Sequence, residues 1–183
     1  MQSVIFGAQD SWKTFTDTKR GVTFRYPSEW IRNDHDASYG DAMMSADGDR
    51  FITGVNWQNG TGAGSPATRT DSFVFAILAP KNAHAYKDRA EKVDDDTADS
   101  SPTVQIVNGV TYTHGATQSA GAGHSTQNDV HTTFKNGRCY GFEIISDASF
   151  IEDPIPTKVD GDIDPILILK TVHILDVRSN NNK

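Results

Sequence analysis

The side chains in this 183-residue chain whose types suit chemistry are one cysteine, six histidines and a late cluster of aspartates. Cys139 stands between Arg138 and Tyr140 in an apolar stretch. A thiol attacks only as thiolate with a base beside it, and the nearest candidate base in sequence is His131. A hairpin folded about Asn136-Gly137 puts Cys139 opposite Phe134 and leaves His131 about three rungs away. Cys139 therefore reads as a buried structural residue, and a lone cysteine excludes any internal disulfide.

The histidines (His35, His84, His114, His124, His131 and His173) show no His-x-x-x-His or His-x-x-Glu spacing, so no two are placed on one helical face. His114, His124 and His131 flank one small-residue stretch and are the three able to converge. Zinc would want three or four such ligands with fixed outer partners, so solvated loop histidines are the expectation and no metal is assigned. Asp160-Gly161-Asp162-Ile163-Asp164 resembles the opening of a calcium loop. The match fails at Pro165, where the loop needs glycine, and at Thr171, where it needs glutamate; a looser oxygen-lined cation site is what remains. Gly60-Thr61-Gly62-Ala63-Gly64 and Gly121-Ala122-Gly123 lack the Gly-Lys-Ser/Thr ending of a phosphate loop and read as flexible loops. No Gly-x-Ser-x-Gly elbow occurs, which excludes a serine hydrolase of that type.

The elements that must position these residues read as strands. Ile and Val together number 25 against four Leu, and β-branched side chains lose rotamer freedom in a helix but sit easily on a pleated surface. In Gly21-Val22-Thr23-Phe24-Arg25-Tyr26, Val22, Phe24 and Tyr26 share one face, and Pro27 ends the strand. Trp30-Ile31-Arg32 starts a second extended piece. Asp41 to Asp47 and Arg50 to Gln58 are expected as strands about Asp47-Gly48-Asp49. Asn59 to Thr70 is expected as a loop, and it opens on the glycosylation triplet Asn59-Gly60-Thr61. Ser72 to Ala79 has the length and aromatics of a buried strand, though a short helix fits its periodicity too. Asn82 to Val93 has helical composition, and Asp94 to Pro102 reads as a polar hinge.

Thr103 to Thr113 alternates about Asn108-Gly109, as a hairpin or as one bulged strand. Gln118 to Ser125 is expected as a small-residue loop. Val130 to Phe134 and Cys139 to Ser146 are expected as strands joined by an Asn136-Gly137 turn. Asp164-Pro165 opens a short helix, Ile166 to Lys170, that runs into a last strand, Thr171 to Val177. The whole, 1–183, reads as one domain with flexible ends at 1–15 and 178–183.

Seventeen basic against 24 acidic residues (net charge −7, pI ≈ 5.2) argue against broad nucleic-acid binding. No apolar run approaches the roughly 18 residues that cross a bilayer as a helix. Met1 to Gln9 lacks a basic segment and is not an intact signal peptide; the chain is also compatible with an export signal already removed.

Three segments together resemble a known family: Gly21-Val22-Thr23-Phe24-Arg25-Tyr26-Pro27-Ser28-Glu29-Trp30, Val107-Asn108-Gly109-Val110-Thr111-Tyr112, and Ile166-Leu167-Ile168-Leu169-Lys170-Thr171-Val172-His173-Ile174-Leu175. They are similar to the PsbP-like superfamily, whose fold is shared by the photosystem II extrinsic protein PsbP and a Ran-binding import factor. The resemblance implies an α+β fold, a twisted and mainly antiparallel sheet with helices on both faces in an α/β/α sandwich. It implies no shared catalytic apparatus and no cofactor. The expected function is a non-catalytic binding or assembly module of an exported or membrane-associated bacterial protein. A protein partner is expected to meet the loops Asn59 to Thr70 and Gln118 to His124. The rival expectations are an enzyme using His124 and His131 with nearby acids, and a cation-binding protein using Asp160 to Asp164. From the residues alone, Tyr26 and Trp30 straddle a proline corner and are expected to seal the edge of the core.

Overall fold

The computed structural model describes residues 11–35, 49–59, 67–79, 102–121, 123–150 and 163–175. Ten strands are assigned there: β1 (Trp12–Asp17), β2 (Val22–Pro27), β3 (Ile31–Asn33), β4 (Arg50–Asn59), β5 (Ala67–Leu78), β6 (Thr103–Val107), β7 (Val110–Gly121), β8 (His124–Lys135), β9 (Arg138–Phe150) and β10 (His173–Ile174). They make two sheets, one ordered β1-β2-β10 and one ordered β3-β4-β5-β9-β8-β7-β6, with every described pairing antiparallel. A single helical turn, α1 (Ile166–Leu169), precedes β10.

Two turns hold the large sheet in register. Asn108-Gly109 joins β6 to β7, and Asn136-Gly137 joins β8 to β9, with all four residues at positive φ between 49° and 74°. That is the two-residue turn whose twist matches paired strands, and Asn-Gly reaches it at least cost. Thr103 to Thr113 is therefore a hairpin, and Cys139 does face Phe134.

Strand alternation gives the large sheet two dissimilar faces. Phe73, Phe75, Tyr112, Tyr140 and Phe142 turn toward the small sheet and pack with Phe15, Val22, Phe24, Ile168 and Leu169 in one core. The Phe24 and Phe73 rings meet edge to face at 5.2 Å, and Phe75 stacks on Phe142 at 5.3 Å. Tyr26 and Trp30 are buried in this core, as the proline corner implied. The other face buries Val74, Ala76, Leu78, Val130 and Cys139. Because β5 and β9 are covered on both faces, Ser72 to Ala79 had no clean period to read: through Leu78 it is strand, part of β5.

Several expectations are corrected. Gln118 to Ser125 is not a loop, since β7 runs to Gly121 and β8 begins at His124. Small side chains did not stop the ladder because β8 is paired on both sides, with His124 opposite Gly121 and Ser149. The same cooperation extends β5 back to Ala67, so the last residues of the expected loop Asn59 to Thr70 are strand. Residues 12–15, expected as a flexible end, belong to β1. Of the expected strand Thr171 to Val177, the described part is strand at His173–Ile174 alone, because α1 continues into turns through Thr171; residues 176 and 177 lie outside the described set. The helices implied for both faces are represented among the described residues by the four-residue α1. The strand Asp41 to Asp47, the helix Asn82 to Val93, the hinge Asp94 to Ser101, both glycine runs' centres, and the two extreme ends lie outside the described residues.

Candidate functional site

The face that carries the aromatic core turns polar at its far end, and the register explains the sequence of side chains. Phe75, Phe142, His131, His114 and Thr103 lie directly opposite one another across five strands. One row outward come Phe73, Ile144, Asp129 and Ala116, and beyond them Asp71, Ser146, Gln127 and Gln118. Along β8 the residues on this face are all polar, and by Gln127 both cross-strand neighbours, Ser146 and Gln118, are polar too. A cleft of about 580 Å³ opens over this end, lined by His114, Gln127, Asp129, His131 and Ser146, by Arg69 and Gln105, and by Asp164, Pro165 and Ile166 at the start of α1. Asp164 holds that turn in place by accepting the Ile166 N–H at 3.0 Å.

The polar groups form two linked sets. Asp71 is wholly buried; Arg69 meets it with Nε 2.9 Å from Oδ2, and the Ser146 hydroxyl donates to Oδ1 at 2.7 Å. In the second set, Asp129 lies 2.9 Å from His114 Nε2 and accepts from Gln127 Nε2 at 2.9 Å. Burial alone would raise the Asp129 carboxyl; the bonds from His114 and Gln127 outweigh it and hold the pKa below its usual value. His114 Nδ1 lies 3.2 Å from the Thr103 hydroxyl. The His114 and His131 rings are 4.5 Å apart, centre to centre. His131 is 1 % exposed, its Nε2 is 3.2 Å from Gln105 Oε1, and the edge of its ring meets Tyr112. Burial, seconded by His114, pushes its pKa down to about 4, so the ring stays neutral at pH 7. Burial likewise raises the Tyr112 phenol.

Of the histidines singled out in the sequence, His114 and His131 converge and His124 does not. His124 is seven residues from His131 on one strand, and an odd separation puts the two on opposite faces. The same parity separates Cys139 from His131: Cys139 pairs with Phe134 on the far face, so the pair makes no nucleophile and base. Of the acidic turn, Asp164 lines the cleft and residues 160–162 lie outside the described set. Among the described residues no three His, Cys, Asp or Glu side chains are grouped to hold a metal ion. Sequence reading missed Arg69, Asp71, Gln105, Gln127, Asp129 and Ser146. The signal was present in Gln127-x-Asp129-x-His131, polar residues at a strict period of two, but only a strand assignment for 124–129 would have read it.

No family model matches the sequence, and no curated protein matches it. Solved structures similar to the chain include a protein of Bacteroides thetaiotaomicron, at 12 % identity and TM-score 0.43, over 90 % of this chain and 49 % of that one. This chain thus spans about half the length of that neighbour. A second is LpqN of Mycobacterium tuberculosis, described as involved in cell envelope biogenesis, at 8 % identity and TM-score 0.41, covering 80 % and 76 % of the two chains. A third, from Synechocystis sp. PCC 6803, shares 17 % identity at TM-score 0.39 over 96 % of this chain and 99 % of its own. It is cyanobacterial PsbP. These likenesses concern the outline of the fold, and the functional argument rests on the cleft.

Proposed function

We propose that this chain is a non-catalytic binding module that receives a polar segment of a protein partner in the cleft beside His114, His131 and Asp71. The observation that carries the reading is that His114 and Asp71 are paired within the site. A general base needs a ring nitrogen turned to the substrate, yet both nitrogens of His114 are engaged, by Asp129 and by Thr103. Asp71 is held by Arg69 and Ser146. Gln105, Gln127 and Ser146 are fixed by hydrogen bonds with His131, Asp129 and Asp71 in turn, and keep further amide or hydroxyl capacity for recognition by hydrogen bonds. The recognition surface in this reading is the sheet face, in place of the loops Asn59 to Thr70 and Gln118 to His124 expected from the sequence.

Selection of binding peptides from a displayed library, with affinities measured by titration calorimetry, tests this. Gln127→Ala and Gln105→Ala should each weaken a selected peptide about fivefold to tenfold, as the loss of one buried hydrogen bond does. If no peptide is selected, or if affinity ignores these substitutions, the reading fails.

A second reading is favoured by one observation. Thr103, His114 and Asp129 stand in line as hydroxyl, imidazole and carboxylate, the parts of a nucleophilic relay. That version of the enzyme alternative replaces His124 with His114. Turnover of an activated ester that His114→Ala abolishes would favour it. The cation-binding alternative keeps one described member, Asp164, and stoichiometric metal in purified protein would favour it.

The same proposal places the module in an exported or membrane-associated protein, on the strength of the sequence resemblance to the PsbP-like group, and retains the flanking helices which that resemblance implies. No described helix is long and apolar enough to cross a membrane. Cell fractionation checks the first point, and the helical signal in far-ultraviolet circular dichroism checks the second.

A further inference from the structure

The solvent side of the small sheet carries a second cleft, of about 390 Å³. Phe15, Phe24 and Ile174 turn inward to the core, so the alternate residues Thr14, Thr23, Arg25 and His173 share the outer face, with Thr14 opposite Arg25 and Thr23 opposite His173. The end of α1 closes one side. Thr171 Oγ1 accepts the Arg25 N–H at 2.8 Å and lies 3.1 Å from the Arg25 carbonyl, which fixes Lys170 beside β2. Asn108 donates to the Val172 carbonyl at 3.0 Å and brings the β6–β7 turn to the rim.

Among the described residues the lining contains Arg25, Lys170 and His173 and no acidic side chain. None of the three makes an ion pair among the described residues. The Arg25 guanidinium carbon lies 5.9 Å from the centre of the Trp12 ring, and a guanidinium held against an aromatic face keeps its N–H edge for a ligand. In a chain of net charge −7 this cleft reverses the local sign, so anions repelled elsewhere are drawn here.

We propose that this cleft binds a phosphate group. Its donors come from three separate elements that line one cleft, β2, the end of α1 and β10. A planar carboxylate is satisfied by a single arginine fork, whereas a tetrahedral, multiply charged oxyanion uses donors arranged around it. The group belongs either to a soluble phosphorylated compound or to a phospholipid headgroup, and the chemistry at the cleft is shared. The site is independent of the peptide cleft on the large sheet.

The test uses the whole chain at low salt. Inorganic phosphate at up to about 10 mM, the weak end of a useful site, should shift the amide resonances of Arg25 and of residues 170–173. Arg25→Ala with Lys170→Ala should weaken the response at least about tenfold, and both residues are exposed, so the melting curve should hold; Lys170→Ala alone is the milder second variant. In parallel, the chain is sedimented with phosphatidylglycerol vesicles and with phosphatidylcholine vesicles. A phosphate response without sedimentation on phosphatidylglycerol assigns a soluble ligand. Both together, each lost in the double variant, assign a headgroup. No phosphate response, or one that the double variant leaves intact, overturns the proposal whatever the vesicles do.

Discussion

His131 shows how a single buried ring ties stability to pH. Its pKa of about 4 in the fold lies below the ordinary histidine value near 6.5, so between those limits the unfolded chain binds the extra proton. Stability is therefore full above about pH 6.5 and falls by roughly 3 kcal/mol as the pH drops to 4. Urea unfolding midpoints at pH 7, 5.5 and 4 should follow that slope, and His131→Gln should flatten it. Asp71 makes the complementary case. Arg69→Ala would leave a wholly buried carboxylate without its cation, at a cost of about 2 kcal/mol because the arginine is itself 39 % exposed. Adding Asp71→Asn should recover part of that loss, which a double-mutant cycle of urea melts measures. At 1 % exposure Cys139 should resist a thiol reagent in the folded protein and react at once in denaturant. Cys139 was legible from one turn and one count of rungs. His124 was misjudged because its loop assignment hid the parity that sends it to the opposite face from His131.

Hairpins were the most legible elements because their signal is local. Asn108-Gly109 and Asn136-Gly137 adopt positive φ, which the two residue types reach more cheaply than others. Gly137 sits at φ +74° with nothing within 4 Å of where a Cβ would stand, so substitution there is a backbone cost alone. Gly137→Ala should lower stability by about 1 kcal/mol and the melting temperature by about 3 °C, with the same effect at Gly109→Ala. Strand lengths were less legible. The small-residue ends of β7 and β8 and the start of β5 hold their strands through pairing with neighbours distant in sequence, His124 with Ser149 and Ala67 with Phe150. Propensity says little where a partner strand supplies the hydrogen bonds. The segment Thr171 to Val177 failed in the other direction, since the hydrogen-bonded turns after α1 consume its first residues.

At the scale of the molecule, two sheets are joined by a shared aromatic core and by hydrogen bonds along one edge of their contact. Tyr140 donates to the Arg20 carbonyl at 3.0 Å, Arg138 to the Lys19 carbonyl at 3.0 Å, Lys135 to the Ile174 carbonyl at 2.9 Å and Asn136 to the Leu175 carbonyl at 2.9 Å. Thus the β8–β9 turn is fastened to both the turn before β2 and the end of β10. Phe24→Ala, at the centre of the core, should cost about 3–5 kcal/mol, and Tyr140→Phe about 1 kcal/mol, both read from urea midpoints. The sequence by itself determined what is local or periodic: a strand-rich chain, the positions of its tight turns, the buried corner from Phe24 to Trp30, and the structural character of Cys139. Only the tertiary structure decided the clefts. Arg69, Gln105, His114, Asp129, Ser146 and Asp164 come from five strands and a helical turn, and no spacing along one strand encodes the register that sets them side by side. Register is fixed by the sum of pairings across the sheet and by the packing of one sheet on the other, and those forces act between residues that the linear order keeps far apart.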